Sequence, residues 1–271
     1  MEARAIRYYS TNRHLDRVPG IAPFKGTVSF REALLQGQAP DEGLYMPETI
    51  PALPMDAVPA LKGKPYAETA LLVARAFLAA EVGEGDLRRI VEESYNYPVP
   101  LEKMEEGIFV LRLDRGPTAS FKDFAARMMA RLMSHLRSRD QRLNILVATS
   151  GDTGSAVGEA FKGVAGIGVT ILYPRGEVSG RQKKQLDTIG GNVRAISVDG
   201  KFDDCQNLVK QAFADPDLAG FNLTSANSIN FGRILPQIVY YVYAYAQLAE
   251  RSGDIVFSVP SGNFGDALGC E

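Results

Sequence analysis

Compact apolar runs that end on glycine-containing loops, each followed by a helical period, constrain this chain more than any other feature. Leu143–Ala148 runs into Thr149-Ser150-Gly151-Asp152-Thr153-Gly154, and a helix is predicted from there through Phe161. Gly168–Tyr173 is a second run, stopped by Pro174. Asn192–Val198 is a third, followed by Asp203-Asp204 at the head of a helix to Phe213. Ile255–Val259 reads as a further buried strand entering Pro260-Ser261-Gly262-Asn263-Phe264-Gly265-Asp266. Short apolar runs bounded by turn signals fit strands covered on both faces. Their alternation with helices predicts an α/β protein with parallel sheets flanked by helices. In such sheets ligands bind beyond the carboxyl ends of the strands, where these loops fall.

Ahead of that pattern, residues 1 to about 95 read as a separate layer. Pro19-Gly20, Pro40, Pro47, Pro51, Pro54 and Pro59 cut it into short pieces. Ser29 with Glu32 three residues on is a capping-box signature for a helix containing Phe30–Leu35. Tyr66–Ala80 and Leu87–Tyr95 show helical periods, and Ile108–Leu111 is a strand candidate. Phe231–Arg251 is a long helical run in which Pro236 fits only near the first turn.

Lys122 lies between Phe121 and Phe124, after a Gly116-Pro117 turn, where a loop meets an apolar-periodic helix (Ala125, Met128, Met129, Leu132, Met133, Leu136). Aromatic neighbours can take its ammonium partly out of water, which lowers a lysine's pKa and exposes the nucleophilic amine. Most lysines at a helix start are simply solvated, so this stretch alone assigns nothing. The loops 149–154 and 261–265 offer glycine for close approach, helix-start N–H groups, and short hydroxyl or amide donors. Neither has the P-loop ending or a full dinucleotide fingerprint, and ordinary strand-to-helix turns would look the same. Ser225-Ala226-Asn227-Ser228-Ile229-Asn230-Phe231-Gly232-Arg233 places donors and an arginine fork at a helix start, a pattern that suits phosphate but also a plain N-cap.

Composition removes other classes. Thirty basic and 32 acidic residues give a net charge of −2 with no basic stripe, so nucleic acid is not an expected partner. No apolar run is long enough to cross a bilayer, the first residues carry no signal-type apolar stretch, and a cytoplasmic location is expected. Cys205 and Cys270 are expected to be reduced thiols. Two histidines, His14 and His135, leave a histidine triad or histidine-rich metal site poorly supported, and no metal is expected.

GPTASFKDF, TSGDTGSA, SANSINFGR and PSGNFGD, in that order, resemble the threonine synthases, pyridoxal-phosphate enzymes of the tryptophan-synthase-β fold type; the opening STNR and VSFREALLQGQAPDEGLYMPE stretches are similar too. The resemblance implies a tryptophan-synthase-β-like fold (PLP fold type II) with an N-terminal extra domain at 1–95. A large cofactor domain would begin at 96–127 and continue at 231–271, with a small mobile domain at 128–230. It implies pyridoxal 5'-phosphate as cofactor and the conversion of O-phospho-L-homoserine and water into L-threonine and phosphate. Phosphate would leave Cγ and water would add at Cβ.

Carried over position by position, Lys122 is the residue that bonds to the cofactor and then moves protons at Cα and Cβ. Ser261, Gly262, Asn263, Phe264 and Gly265 would grip the cofactor phosphate. Ser150, Gly151 and Thr153 would hold the substrate carboxylate, with Asp152 approaching the cofactor's ring hydroxyl. Asn227, Ser228 and Arg233 would bind the substrate phosphate, joined by Arg181. Two departures follow. Arg115 stands where the family commonly has histidine, and the family continues past the position of Glu271, which implies a chain truncated at its C-terminus with a cofactor site open on one side. The rival readings are a phospho-lyase of the same fold releasing 2-oxobutyrate, and a non-catalytic binding module derived from it.

Overall fold

The chain, a computed structural model describing residues 5–15, 21–54, 56–250 and 253–271, opens with a small antiparallel sheet. Its order is β2–β1–β3, from β1 (Tyr8–Ser10), β2 (Thr27–Val28) and β3 (Tyr45–Pro47). Strands this short carry no readable period, and the sequence does not announce them. The expected Pro19-Gly20 break lies outside the described residues. Buried Asp41 knits the layer together, accepting from Ser10 Oγ (2.5 Å), Phe24 N–H (2.8 Å) and Gly43 N–H (3.1 Å).

Helix α1 (Phe30–Gln36) starts where the capping box predicts: Ser29 Oγ accepts from Glu32 N–H at 3.2 Å and Ser29 N–H donates to Glu32 Oε2 at 2.7 Å. Ser29→Ala should therefore cost about 1 kcal/mol in urea unfolding. A variant as stable as the parent would show that packing of Phe30, Ala33 and Leu34 alone fixes this helix.

Helices α2 (Tyr66–Leu78) and α3 (Glu84–Ser94) precede an exposed hairpin of β4 (Leu101–Glu105) and β5 (Ile108–Leu111). Next comes α4 (Lys122–Leu136), whose first residue is the lysine singled out above. Its buried residues, among them Phe124, Met128, Met129 and Leu132, face the predicted way. Phe124 meets Tyr66 edge-on with centroids 5.2 Å apart, and Tyr66 meets Tyr95 at 5.0 Å and Tyr243 at 5.1 Å. Edge-to-face packing of this kind adds to the area term and fixes ring directions. This aromatic layer locks α2, the end of α3 and α4 into one core with residues further along the chain.

The main sheet is parallel, in the order β8–β7–β6–β9. In chain order its pieces are β6 (Leu143–Ala148), α5 (Asp152–Phe161), β7 (Ile167–Pro174), α6 (Gly180–Thr188), β8 (Val193–Val198), α7 (Phe202–Ala214) and β9 (Leu223–Ser225). Ile145, Val147, Val169 and Ile171 pack into the large core with α4 and α5. On the other face Ala148 packs with Cys205 and Val209 of α7. From β6 the chain steps outward to β7 and β8, then returns to place β9 on the opposite side of β6. The loops after β6 and β9 thus leave the sheet at a reversal of strand order, the crevice where α/β proteins bind ligands.

Two expectations fail here. Ile255–Val259 is extended but pairs with no described strand, and Val256 is 89% exposed. The residue types suit a strand, but a strand exists only where a neighbour supplies the ladder and cover. In α8 (Phe231–Leu248) Pro236 is the sixth residue, a turn deeper than expected, and the Gln237 side chain bonds the nearby Arg233 carbonyl at 2.5 Å. The predicted helix end at Arg251 lies outside the described residues. The last element is α9 (Gly265–Cys270). Cys205 is buried and Cys270 exposed, both as free thiols, while His135 is exposed on α4. Among the described residues no helix is long and apolar enough to cross a membrane.

Candidate active site

The Lys122 loop is held from within. Asp123, 1% exposed, accepts from Thr118 N–H (2.8 Å), Thr118 Oγ1 (2.6 Å) and Ser120 N–H (3.5 Å). From α8, Tyr240 Oη donates to the Phe121 carbonyl at 2.8 Å. The Lys122 ammonium sits 4.5 Å from the Phe121 ring centroid. Phe124 takes no part in that environment; it is spent on the tyrosine core, which corrects the expectation of an aromatic on both sides. Lys122 Nζ lies 3.9 Å from Asp152 Oδ2, and its side chain is 22% exposed. Burial pushes its pKa down and Arg233 adds to that, whereas Asp152 and Asp266 oppose it.

The loop after β6 is organised by Thr149, whose Oγ1 accepts from Gly151 N–H and Gly154 N–H, both at 2.9 Å. Those two donors are therefore not free for a ligand. The N–H groups of Asp152 and Thr153, first in α5, have no acceptor among the described residues. Gly151 has φ +141°, open to glycine and strained for other residues. Ser150 is exposed beside it and Thr153 half-buried.

The segment after β9 separates cap from site. Asn230 is the N-cap of α8: its Oδ1 accepts from Gly232 N–H at 2.9 Å, and its Nδ2 donates to the carbonyls of Leu34 and Ser225. Asn227, Ser228 and Arg233 are thus left over. Arg233 is 4% exposed, its Nη1 donates only to the Ala226 carbonyl at 3.3 Å, and its Nε has no partner. Asn227 Oδ1 is likewise buried and unpartnered. No carboxylate forms an ion pair with Arg233 among the described residues, and burial pushes its pKa down to about 10. Buried charge is costly unless compensated, and among the described residues this guanidinium has only the Ala226 carbonyl to compensate it.

The loop 261–265 reaches the same place, since a Cβ built on Gly265 would stand 3.3 Å from Ser228 Cβ. Phe264 is 72% exposed with φ +60°, Gly262 and Asn263 are exposed, and Ser261 Oγ accepts from Ala267 N–H at 3.4 Å. Arg181 is exposed on the first turn of α6, and no hydrogen bond or ion pair joins it to Arg233, Asn227 or Ser228.

Two residues of this region were not anticipated. Asp266 is buried, accepts from Tyr241 Oη at 2.8 Å, and has its pKa raised chiefly by burial. Gln182 Nε2 donates to Asp152 Oδ1 at 2.7 Å. Asp266 was in view as the last residue of its motif, but its partner lies on α8. Gln182 carried a local signal, the Ser179-x-x-Gln182 capping box, on a helix too polar to show a period.

Comparison with known proteins gives the family. Residues 7–95 match the family model for the threonine synthase N terminus, and residues 94–271 match that for pyridoxal-phosphate dependent enzymes. Threonine synthase from Haemophilus influenzae is 45% identical over 241 residues, 88% of this chain and 56% of that protein. The Pseudomonas aeruginosa threonine synthase is 41% identical, over 96% of this chain and 55% of its own length. Among solved structures, PLP-bound threonine synthase from Brucella melitensis superposes with a TM-score of 0.87 at 39% identity, covering 98% of this chain and 57% of its own. Yeast threonine synthase gives 0.83 at 32%, covering 97% and 54%. This chain thus spans about half the length of the relatives it matches. On its family-model matches, its sequence identity and its structural superposition, the chain belongs to the threonine synthase family of pyridoxal-phosphate-dependent enzymes.

Proposed function

We propose that this chain carries the lysine, the cofactor-phosphate loop and the substrate-phosphate pocket of a threonine synthase acting on O-phospho-L-homoserine. The observation that carries the reading is a partly desolvated amine, Lys122, beside a buried guanidinium, Arg233, that has no carboxylate partner among the described residues. An amine of lowered pKa condenses with an aldehyde, and an unpaired arginine holds a phosphate dianion. The residues present fit pyridoxal 5'-phosphate, which when bound supplies the electron sink.

The chain's own residues then have separable tasks. Lys122 Nζ is placed to accept and return protons beside Asp152. Ser261, Gly262, Asn263, Phe264 and Gly265 offer loop donors for the cofactor phosphate, and Ser150, Gly151 and Thr153 those for a carboxylate. Asn227, Ser228 and Arg233 neutralise charge gathering on a leaving phosphate. Arg181, exposed on α6, would join them in a mobile unit at 128–230 lying between the parts of a larger domain at 96–127 and 231–271, with 1–95 as a further domain. The setting would be the cytoplasm.

The test is addition of pyridoxal phosphate to the chain, borohydride reduction and peptide mapping. A visible band and the reduced adduct on Lys122, both lost in Lys122→Ala, are expected. A colourless protein, or an adduct spread over surface lysines, would leave a binding module as the better reading. With O-phospho-L-homoserine, 2-oxobutyrate in place of threonine would reassign the reaction to the phospho-lyase class.

A further inference from the structure

The Gln182 amide uses both of its ends. Its Oε1 accepts from Ser179 N–H at 2.9 Å, closing the N-cap of α6, while its Nε2 donates to Asp152 Oδ1 at 2.7 Å. Turning the amide over would set its NH2 against the Ser179 N–H and its oxygen against a carboxylate, so one orientation satisfies both neighbours. A side chain on Gly151 would collide with this amide, so the glycine at that point also makes room for Gln182.

Asp152 is 52% exposed in its side chain, and Gln182 is the one hydrogen-bond donor to its carboxylate among the described residues. Its other oxygen stands 3.9 Å from Lys122 Nζ, short of a direct hydrogen bond. Opposite charges at that distance attract, and the bond to Gln182 acts against that attraction by drawing the carboxylate toward α6.

We propose that Gln182 is a positioning residue that holds the Asp152 carboxylate out of hydrogen-bond contact with Lys122, keeping the lysine amine available for condensation with an aldehyde. The proposal deepens the cofactor reading and rests on it for its purpose, although the restraint itself can be measured without cofactor. The charged groups around Lys122 are Asp152 of α5, Asp266 of α9 and Arg233 of α8. Only Asp152 is tied to Gln182. Loss of the tie therefore acts on the lysine through one carboxylate.

The experiment is labelling of the cofactor-free chain with acetic anhydride across a pH series, with Lys122 acetylation followed by peptide mass mapping. Gln182→Glu keeps an acceptor for Ser179 N–H but sets a second negative charge against Asp152, driving it toward Lys122. Gln182→Met removes the tie without adding charge. Both variants should label Lys122 more slowly at mildly alkaline pH, about two- to fivefold as expected for one partly exposed ion pair. Gln182→Glu should show the larger effect and should approach the parent as acid protonates the carboxylate pair. Asp152→Asn should label faster than the parent.

Thermal unfolding checks that each variant is folded, and Gln182→Glu keeps the capping box should Gln182→Met prove unstable. Labelling of Lys122 that is unchanged or faster in both glutamine variants, with Asp152→Asn faster, would overturn the proposal. Failure of the cofactor reading is seen separately, as absence of a pyridoxal-phosphate adduct on a lysine whose labelling still follows Gln182.

Discussion

Arg233→Met is expected to stabilise the fold by about 2 kcal/mol while abolishing its response to phosphate. The guanidinium is 4% exposed, and burial pushes its pKa down to about 10, which is worth ~3 kcal/mol against the folded state at neutral pH. Methionine fills comparable apolar volume but gives up the bond to the Ala226 carbonyl, about 1 kcal/mol, which leaves the stated net gain. Exchanging buried charge for a well-packed hydrophobe has this sign in other proteins.

The pH dependence follows from the direction of the shift. The folded pKa lies below the unfolded one, so as pH rises past about 10 the folded chain gives up this proton more readily than the unfolded chain does. Stability attributable to Arg233 thus rises with pH beyond that point, and the full penalty is present below it. The difference between parent and variant isolates it from lysines and tyrosines titrating in the same range. Inorganic phosphate or O-phosphohomoserine should raise the thermal midpoint of the parent only, by about 2.7 kcal/mol of stability at a hundred times its Kd. A variant less stable than the parent at neutral pH, together with equal stabilisation of both by phosphate, would remove Arg233 from the anion site.

What could be read from the sequence divides by the range of the interaction. The Ser29–Glu32 box, the β6 and β7 runs and the start of α4 at Lys122 depend on residues within a turn or two of one another, and each lies where local rules place it. The same reasoning misjudged Ile255–Val259, because a ladder is a relation between segments and composition records only one of them. It assigned Phe124 to the lysine because it could not see Tyr66 and Tyr240 converging on that ring. SANSINFGR lay between: a cap is legible in its spacing, but which of its donors remain unspent depends on the Asn230 bonds to Leu34 and Ser225. Gln182 acts across 30 residues on Asp152, beyond the reach of any spacing rule.

Asp123→Ala is expected to cost about 2 kcal/mol and to loosen the loop that sets Lys122 in place. Removing the carboxylate leaves Thr118 N–H, Thr118 Oγ1 and Ser120 N–H without an acceptor, and buried unsatisfied donors cost ~1–3 kcal/mol each. Part of that loss is recovered, because burial pushes the Asp123 pKa up and its ionised form is already penalised in the fold. Besides Asp123, the loop is held by Tyr240 at the Phe121 carbonyl and by the Ala119 N–H bond to the Gly116 carbonyl. Ala119 sits at φ +55°, a conformation that costs about 1 kcal/mol or more outside glycine and persists only when neighbours over-determine it. A Cβ on Gly116 would collide with the Asp123 carboxylate, so the turn is shaped around that group. Amide exchange of residues 116–121 should accelerate about tenfold beyond what the global loss explains, with the interior of α4 moving only by the global amount. Pyridoxal-phosphate affinity should fall with it, since a lysine on a mobile loop must be ordered at the moment of binding. Exchange in the loop that merely tracks α4 would show that Tyr240 and the helix start, and not Asp123, hold the lysine.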